Sequence, residues 1–379
     1  MKIKFCGSAR DYSGYGEANR HDIGALVAGG IELTTELPSF CLEITDFGKL
    51  GRLAMELEGR PLGYKIKILH LTPNLYKTYI EEGKYNIGRI FWETDRLPLD
   101  FAASAELLDE IWTGSEFNAE AIRKAGVTKP IYIIPEAIDG SIDIESIEPY
   151  IIPNREDYKF YSIFEWTERK NPFALLAAFW QEFKDTEGVS LTIKTYVDNF
   201  TPGKKLIIDQ YIRRMQKQLN LKRYAPVYLY RGLMERDQIY RFHKSFDCFV
   251  SAHRGEGWGI PQMEALLLEK PIISTNLGGI HEYLKDGADA MLIPYTFAPV
   301  DNSRNKTWYA ANQQWGEIDQ AKLREAMRWS FDNQAKAKNI GKEGRKTILK
   351  RFDLPVVGKT MAERLQKIHL QLQPKNERT

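Results

Sequence analysis

Short runs rich in β-branched and aromatic residues alternate along this chain with longer runs whose apolar positions recur every three or four residues. The first pattern predicts strands, and the second predicts helices that bury one face against them. Residues 2–6 read as a strand, 7–16 as a glycine-rich loop, 17–28 as a helix stopped by Gly29 and Gly30, and 31–35 as a second strand. Further strands are predicted at 66–71, 87–92, 110–113 and 130–134, the third followed by a helix that Ser115 caps and Gly126 closes. Strands alternating with helices call for a parallel, doubly wound sheet.

The alternation restarts beyond 148–157, EPYIIPNRED, a stretch with two prolines and three acids. A domain boundary is expected there, giving a first α/β domain at 1–152, a second at 153–353, and a C-terminal helix within 354–379 that packs back on the first. The second domain reads as strand 158–164, helix 172–183, strand 190–196, helix 204–219, strand 226–230, helix 235–245, strand 246–251, helix 261–269, strand 271–275 and helix 280–285.

Length and composition agree with two domains. The 379 residues exceed one ordinary core, since a domain takes about 100–200 residues. Hydrophobic residues at 43% and charged residues at 27% describe a folded chain rather than a disordered one. Lys and Arg number 53 against 51 Asp and Glu, so bulk charge singles out neither nucleic acid nor an anionic membrane as the main partner. Cys6, Cys41 and Cys248 are odd in number and far apart, as in a reducing compartment. The opening MKIKFCGSARDYSGYG lacks the apolar run of a signal peptide. No stretch of about 18 apolar residues occurs to span a membrane. A cytoplasmic protein is expected, with peripheral membrane contact left open.

Candidate chemistry concentrates in two segments. In RGEGWGIPQMEA, residues 254–265, Glu256 and Glu264 are separated by two glycines, a tryptophan and a proline. Pro261 suits the first turn of a helix, which puts Glu256 in a loop and Glu264 about one turn inside, facing one cleft. Read by itself, this is more readily a capped strand-to-helix turn with solvated acids, because such turns are common in α/β folds. In EWTERKNPFALLAAF, residues 165–179, Arg169 and Lys170 precede Asn171, an expected N-cap, and Pro172 at the first helical position. Cations at a helix N-terminus are unfavourable unless an anion sits between them, so the pair reads as a phosphate site, with a solvated surface pair as the alternative.

Taken together with LGGIHE at 277–282, these segments resemble the large retaining glycosyltransferase family with an E-x7-E motif that includes sucrose synthases, sucrose-phosphate synthases and bacterial mannosyltransferases. The resemblance covers the second half, while the first half is similar in layout and in SGYG at 13–16. It implies the GT-B fold, two Rossmann-like doubly wound domains facing across a cleft, and transfer of a sugar, as a hexosyltransferase, from a nucleotide-diphosphate sugar with retention. Lys170, with Arg169, would bind the donor diphosphate, Glu256 the transferred sugar and Glu264 the ribose. The amides of Gly257, Trp258, Gly259 and Ile260, with Gly14, Tyr15 and Gly16 from the first domain, would complete the donor site. Lysine, arginine and helix dipoles then stand in for a metal. No metal and no cofactor are expected, and the six histidines, at 21, 70, 243, 253, 281 and 369, are scattered.

Two positions depart from the family. Phe164 stands where many members have an arginine, and Trp92 or Glu93 where many have a cleft histidine. Glu93 is a candidate base or acceptor ligand, or equally a capping residue; His70 and Trp92 are further acceptor-side candidates, with His70 favoured as a core residue. The partner expected is a nucleotide sugar, with the acceptor open among glycan, lipid, protein, metabolite and modified nucleic-acid base. The rival readings are a nucleotide-sugar epimerase of similar architecture and a non-catalytic sugar-nucleotide or glycan-binding protein.

Overall fold

The computed structural model describes residues 1–40, 46–153, 155–197, 205–301 and 307–373; Cys41 lies outside them. Two compact units divide the chain, Met1–Ile142 with Leu349–Thr379, and Asp143–Ile348. The chain passes from first to second ten residues ahead of the 152/153 boundary, and returns within a helix.

The first unit runs β1 (Lys2–Gly7), α1 (Gly14–Ala28), β2 (Glu32–Glu36), α2 (Gly48–Glu56), β3 (Ile66–His70), α3 (Tyr76–Tyr79), β4 (Tyr85–Arg89), α4 (Leu99–Ala105), β5 (Glu110–Thr113), α5 (Glu116–Lys124) and β6 (Ile131–Ile133). Its six strands form one parallel sheet in the order β2-β1-β3-β4-β5-β6. β3 and β5 are buried along their whole length, as strands covered by helices on both faces must be. The helix expected from residue 17 starts earlier, at Gly14. Ser13 caps it, its Oγ accepting from the Gly16 amide at 3.0 Å. Gly14, Tyr15 and Gly16 therefore lie in the first turn and not in a loop. Gly16 is required there, because a Cβ would sit 2.3 Å from the Asp11 carbonyl oxygen.

The second unit runs β7 (Tyr158–Glu165), α6 (Pro172–Glu182), β8 (Val189–Tyr196), α7 (Lys205–Leu219), β9 (Val227–Tyr230), α8 (Arg236–Lys244), β10 (Cys248–Ser251), α9 (Ile260–Leu267), β11 (Ile272–Thr275) and β12 (Met291–Ile293). These six strands make a second parallel sheet, ordered β12-β11-β10-β7-β8-β9. Phe160, Leu175, Phe179, Leu191, Ile193, Cys248 and Val250 fill the core between β7, β8, β10 and α6. The helix expected at 280–285 is a single 3-10 turn, Gly279–Glu282. Beyond it the sequence reading assigned nothing before the C-terminal helix, whereas the structure has an antiparallel hairpin of β13 (Tyr295–Pro299) and β14 (Gln314–Ile318), then α10 (Gln320–Asp332) and α11 (Gln334–Phe352).

The last helix, α12 (Leu354–Leu372), packs along α1 in the first unit. Two glycines permit the approach: a Cβ on Gly358 would lie 2.1 Å from the Ala25 carbonyl oxygen, and one on Gly29 would lie 2.3 Å from that of Gly358. Arg364 adds an ion pair to the buried Glu110 and stacks on Tyr132 at 3.5 Å. No helix among the described residues is long and apolar enough to cross a membrane.

Candidate active site

In a doubly wound sheet, ligands bind beyond the carboxyl ends of the strands where the order reverses. In the second unit that point lies between β7 and β10, and the loops leaving there are 166–171 and 252–259. They are the two segments singled out by sequence. Hydrogen bonds stitch them together: the Arg254 amide donates to the Arg169 carbonyl at 2.7 Å, Arg254 Nη1 to the Glu168 carbonyl at 2.8 Å, and Arg169 Nη1 to the Gly255 carbonyl at 2.8 Å. Arg254 Nε also donates to Glu317 Oε1 at 2.5 Å, tying both loops to β14.

Lys170 ends a 3-10 turn, Glu168–Lys170, and Asn171 follows in the left-handed region at φ 51°. Asn171 caps α6 by accepting from the Ala174 amide at 3.2 Å, with Pro172 first in the helix, as the sequence predicts. Lys170 Nζ pairs with Glu256 Oε2, and Arg169 Nη1 lies 3.9 Å from Glu256 Oε1. Burial alone would raise the Glu256 carboxyl, but Lys170, Arg169 and His253 together bring it down to about 2. Glu256 is therefore an anion facing two cations at all neutral pH values.

His253 is a site residue that sequence reading passed over. Burial pushes its imidazole down to about 4, so it is neutral. Its Nε2 lies 2.9 Å from the Leu277 carbonyl, which can only accept, and its Nδ1 lies 2.9 Å from Ser251 Oγ. The proton is thus on Nε2, and His253 pins the 277–279 turn to the end of β10. That turn meets the Glu256 loop backbone to backbone. The Gly279 amide donates to the Glu256 carbonyl at 3.0 Å. A Cβ on Gly278, at φ 101°, would come within 2.1 Å of that same oxygen, and one on Gly279 within 2.1 Å of the Gly257 oxygen. Only glycine fits at either place.

α9 begins with Gly259 as N-cap at φ 95°, which brings no side-chain oxygen to its first amides. Those of Gly257, Trp258, Gly259 and Ile260 lie in the segment leading from Glu256 into that helix start. Trp258 is buried, its Nε1 directed to Met263 Sδ at 3.3 Å and its ring 5.3 Å from Tyr283. Glu264, one turn inside α9 and 3% exposed, pairs with Arg236.

In the first unit the reversal falls between β1 and β3, beside Ser13–Gly16 and His70. His70 is buried, with Nδ1 2.8 Å from Asp22 Oδ2, and Tyr15 meets its ring edge-on at 5.6 Å. Burial lowers the imidazole despite the carboxylate beside it. Arg89 Nε reaches the same Asp22 oxygen at 2.5 Å. Burial and the charge of Asp22 push Glu136 up to about 8. Glu136 lies 3.9 Å from both His70 Nε2 and Arg89 Nη2. His70 thus belongs to a buried charged cluster, the core environment favoured from sequence. Trp92 is also a core residue, donating Nε1–H to Thr94 Oγ1 at 2.7 Å and lying edge-on to Phe101. Glu93, beside it and beyond the end of β4 at Arg89, is half-buried.

Residues 153–301, all within the second unit, match the sequence model of the family described as Glycosyl transferases group 1. Three solved structures share the fold. HepE from Anabaena, in complex with UDP and glucose, matches with a TM-score of 0.66 at 14% identity, over 97% of this chain and 100% of that one. Sucrose-phosphate synthase from Thermosynechococcus elongatus matches with a TM-score of 0.68 at 15% identity, over 98% of this chain and 100% of that one. TarM from S. aureus matches at 0.55 and 14% identity, over 79% of this chain and 54% of that one. No curated protein sequence matches the chain. The two parallel six-stranded sheets with their helices are the GT-B fold of glycosyltransferases.

Proposed function

We propose that the protein is a glycosyltransferase that moves a hexose from a nucleotide-diphosphate sugar to an acceptor, with retention and without a metal. The observation that carries this reading is the meeting of Arg169, Lys170 and Glu256 at the switch point of the second unit, beside a helix start with no side-chain cap. The similarity of residues 153–301 to group 1 glycosyl transferases supports it, and so does the fold shared with HepE, which was solved with UDP-glucose.

In this reading Lys170 and Arg169 hold the donor diphosphate with the amides of Gly257 to Ile260, Glu256 contacts the transferred sugar, and Glu264 accepts from the ribose. Breaking the bond between the anomeric carbon and the phosphate oxygen moves negative charge onto the diphosphate. The two cations and the helix dipole meet that charge where a metal otherwise would. The acceptor hydroxyl adds to the same face of the sugar and its proton passes to the departing phosphate oxygen. Glu256, held ionised, faces the positive charge that builds on the ring. We assign the acceptor to the first unit, with Glu93 as the side chain to test. Turnover should therefore persist in excess EDTA.

The two glutamates should fail differently. Glu256→Ala is expected to lower kcat by about 10²-fold while nucleoside diphosphate still binds, since its contact matters mostly in the transition state. Glu264→Ala is expected to weaken nucleoside diphosphate binding by about 1.5–3 kcal/mol, the range for hydrogen bonds to a charged group. Calorimetry beside steady-state rates decides between them, and equal, small effects at both positions would refute the donor-site assignment.

A further inference from the structure

Arg236 is the first residue of α8, where a cation opposes the helix dipole. Capping does not explain it, because Glu235 and Gln238 already form a capping box at this end. Its partner does. The guanidinium pairs through Nη2 with Oε1 of Glu264 and lies over the Tyr240 ring at 4.2 Å, so its plane is fixed from two sides.

The other carboxylate oxygen, Oε2, faces His243 Nε2 at 3.5 Å. Burial keeps His243 neutral, and its Nδ1 lies 2.7 Å from the hydroxyl of the buried Tyr161. Burial also raises that phenol well above its ordinary value, so it keeps its proton, and with a carboxylate oxygen facing Nε2 and the phenol facing Nδ1 the favoured tautomer carries the imidazole proton on Nε2, directed at Glu264. Lys194 on β8 is a further cation whose charge reaches the carboxylate. Glu264 is thus gripped at one oxygen by a planar, stacked cation and approached at the other by a neutral N–H. A carboxylate on a free torsion turns readily, whereas one with an oxygen anchored by a stacked guanidinium through Nη2 keeps its acceptor directions in one orientation.

We propose that Arg236 is a positioning residue for donor recognition, holding the Glu264 carboxylate in the single orientation that accepts from the two ribose hydroxyls of a nucleoside diphosphate. This rests on the assignment of Glu264 to the ribose. Arg236 works through Glu264, and its effect is confined to the hydroxyls and does not extend to the diphosphate.

Calorimetry on the full-length protein tests this with UDP, GDP and ADP, their 2′,3′-dideoxy analogues, and inorganic pyrophosphate. For the nucleotide that binds, removal of the hydroxyls should weaken the wild type by about 10-fold or more. In Arg236→Gln that discrimination should fall to about 3-fold or less, with pyrophosphate affinity unchanged. Arg236→Lys keeps the charge without the planar fork and should fall between the two, which makes it the variant to read if Arg236→Gln does not fold. A purely structural role would weaken all ligands together and leave the ratio intact. Wild-type discrimination surviving in both variants overturns the inference alone. Binding of no nucleoside diphosphate by the wild type overturns the ribose assignment, and the inference with it.

Discussion

At the scale of single residues, the burial of charge separates the two units. Glu256 keeps its negative charge because the cations Lys170 and Arg169 outweigh burial, while Glu136, with the charge of Asp22 beside it, does not. The sign of the consequence follows from linkage. Glu136 binds its proton up to about pH 8 in the fold but only to about 4.5 when unfolded, so its stabilising contribution is complete below 4.5 and is lost as pH rises toward 8. Glu136→Gln should therefore melt higher than the wild type at pH 9, by at least about 2–4 °C if 1 kcal/mol is recovered, and show no such gain at pH 4.5. Melting temperatures with the same pH dependence in both proteins would contradict a neutral buried Glu136. Lys170 and Asn171 were legible in the sequence because a cation before an N-cap and proline is out of place without an anion. Arg236 also opens a helix, but no asparagine cap and proline follow it to mark the start, and its anion lies 28 residues on. No local pattern joins the two. His253 was illegible for another reason: its work is to hold a turn 24 residues away through one carbonyl.

At the scale of elements, glycine is the residue whose meaning depends most on surroundings. The pair at 278–279 is squeezed against the carbonyls of Glu256 and Gly257, whereas a Cβ on Gly14 would meet nothing within 4 Å. Gly279→Ala should displace the Glu256 loop and lower turnover by about 10²-fold, the scale of a 1 Å misplacement. Gly14→Ala, in the first turn of α1, should leave the melting temperature unchanged or raise stability by up to about 0.5–1 kcal/mol. Thermal melts and rates on the two variants check both; a silent Gly279→Ala would mean the loop adapts to the added methyl group. The early start of α1 eluded the sequence reading for the same reason. SGYG looks like a break in structure until Ser13 is seen to cap the turn containing both glycines. Long apolar strands such as β8 and β3 were legible within a residue or two, because burial on both faces leaves little choice of residue type.

At the scale of the whole molecule, the alternation of strands and helices revealed two doubly wound sheets, and the pairing adds where each sheet reverses. That point places 166–171 beside 252–259 in the second unit, although nearly ninety residues separate Lys170 from Glu256. The segment between 286 and 353 was not legible. Its hairpin is short, and α10 and α11 carry so many charged residues that their apolar stripes are thin. The central claim is sugar transfer from a nucleotide donor held by Lys170 and Glu256. It is tested most directly by incubating the protein in EDTA with a panel of nucleotide sugars that includes UDP-glucose, and measuring nucleoside diphosphate release by the wild type and by Lys170→Ala. Release from at least one donor is expected from the wild type, slowed by at least about 10²-fold in the variant. Consumption of no donor, or equal rates in the two proteins, would contradict it.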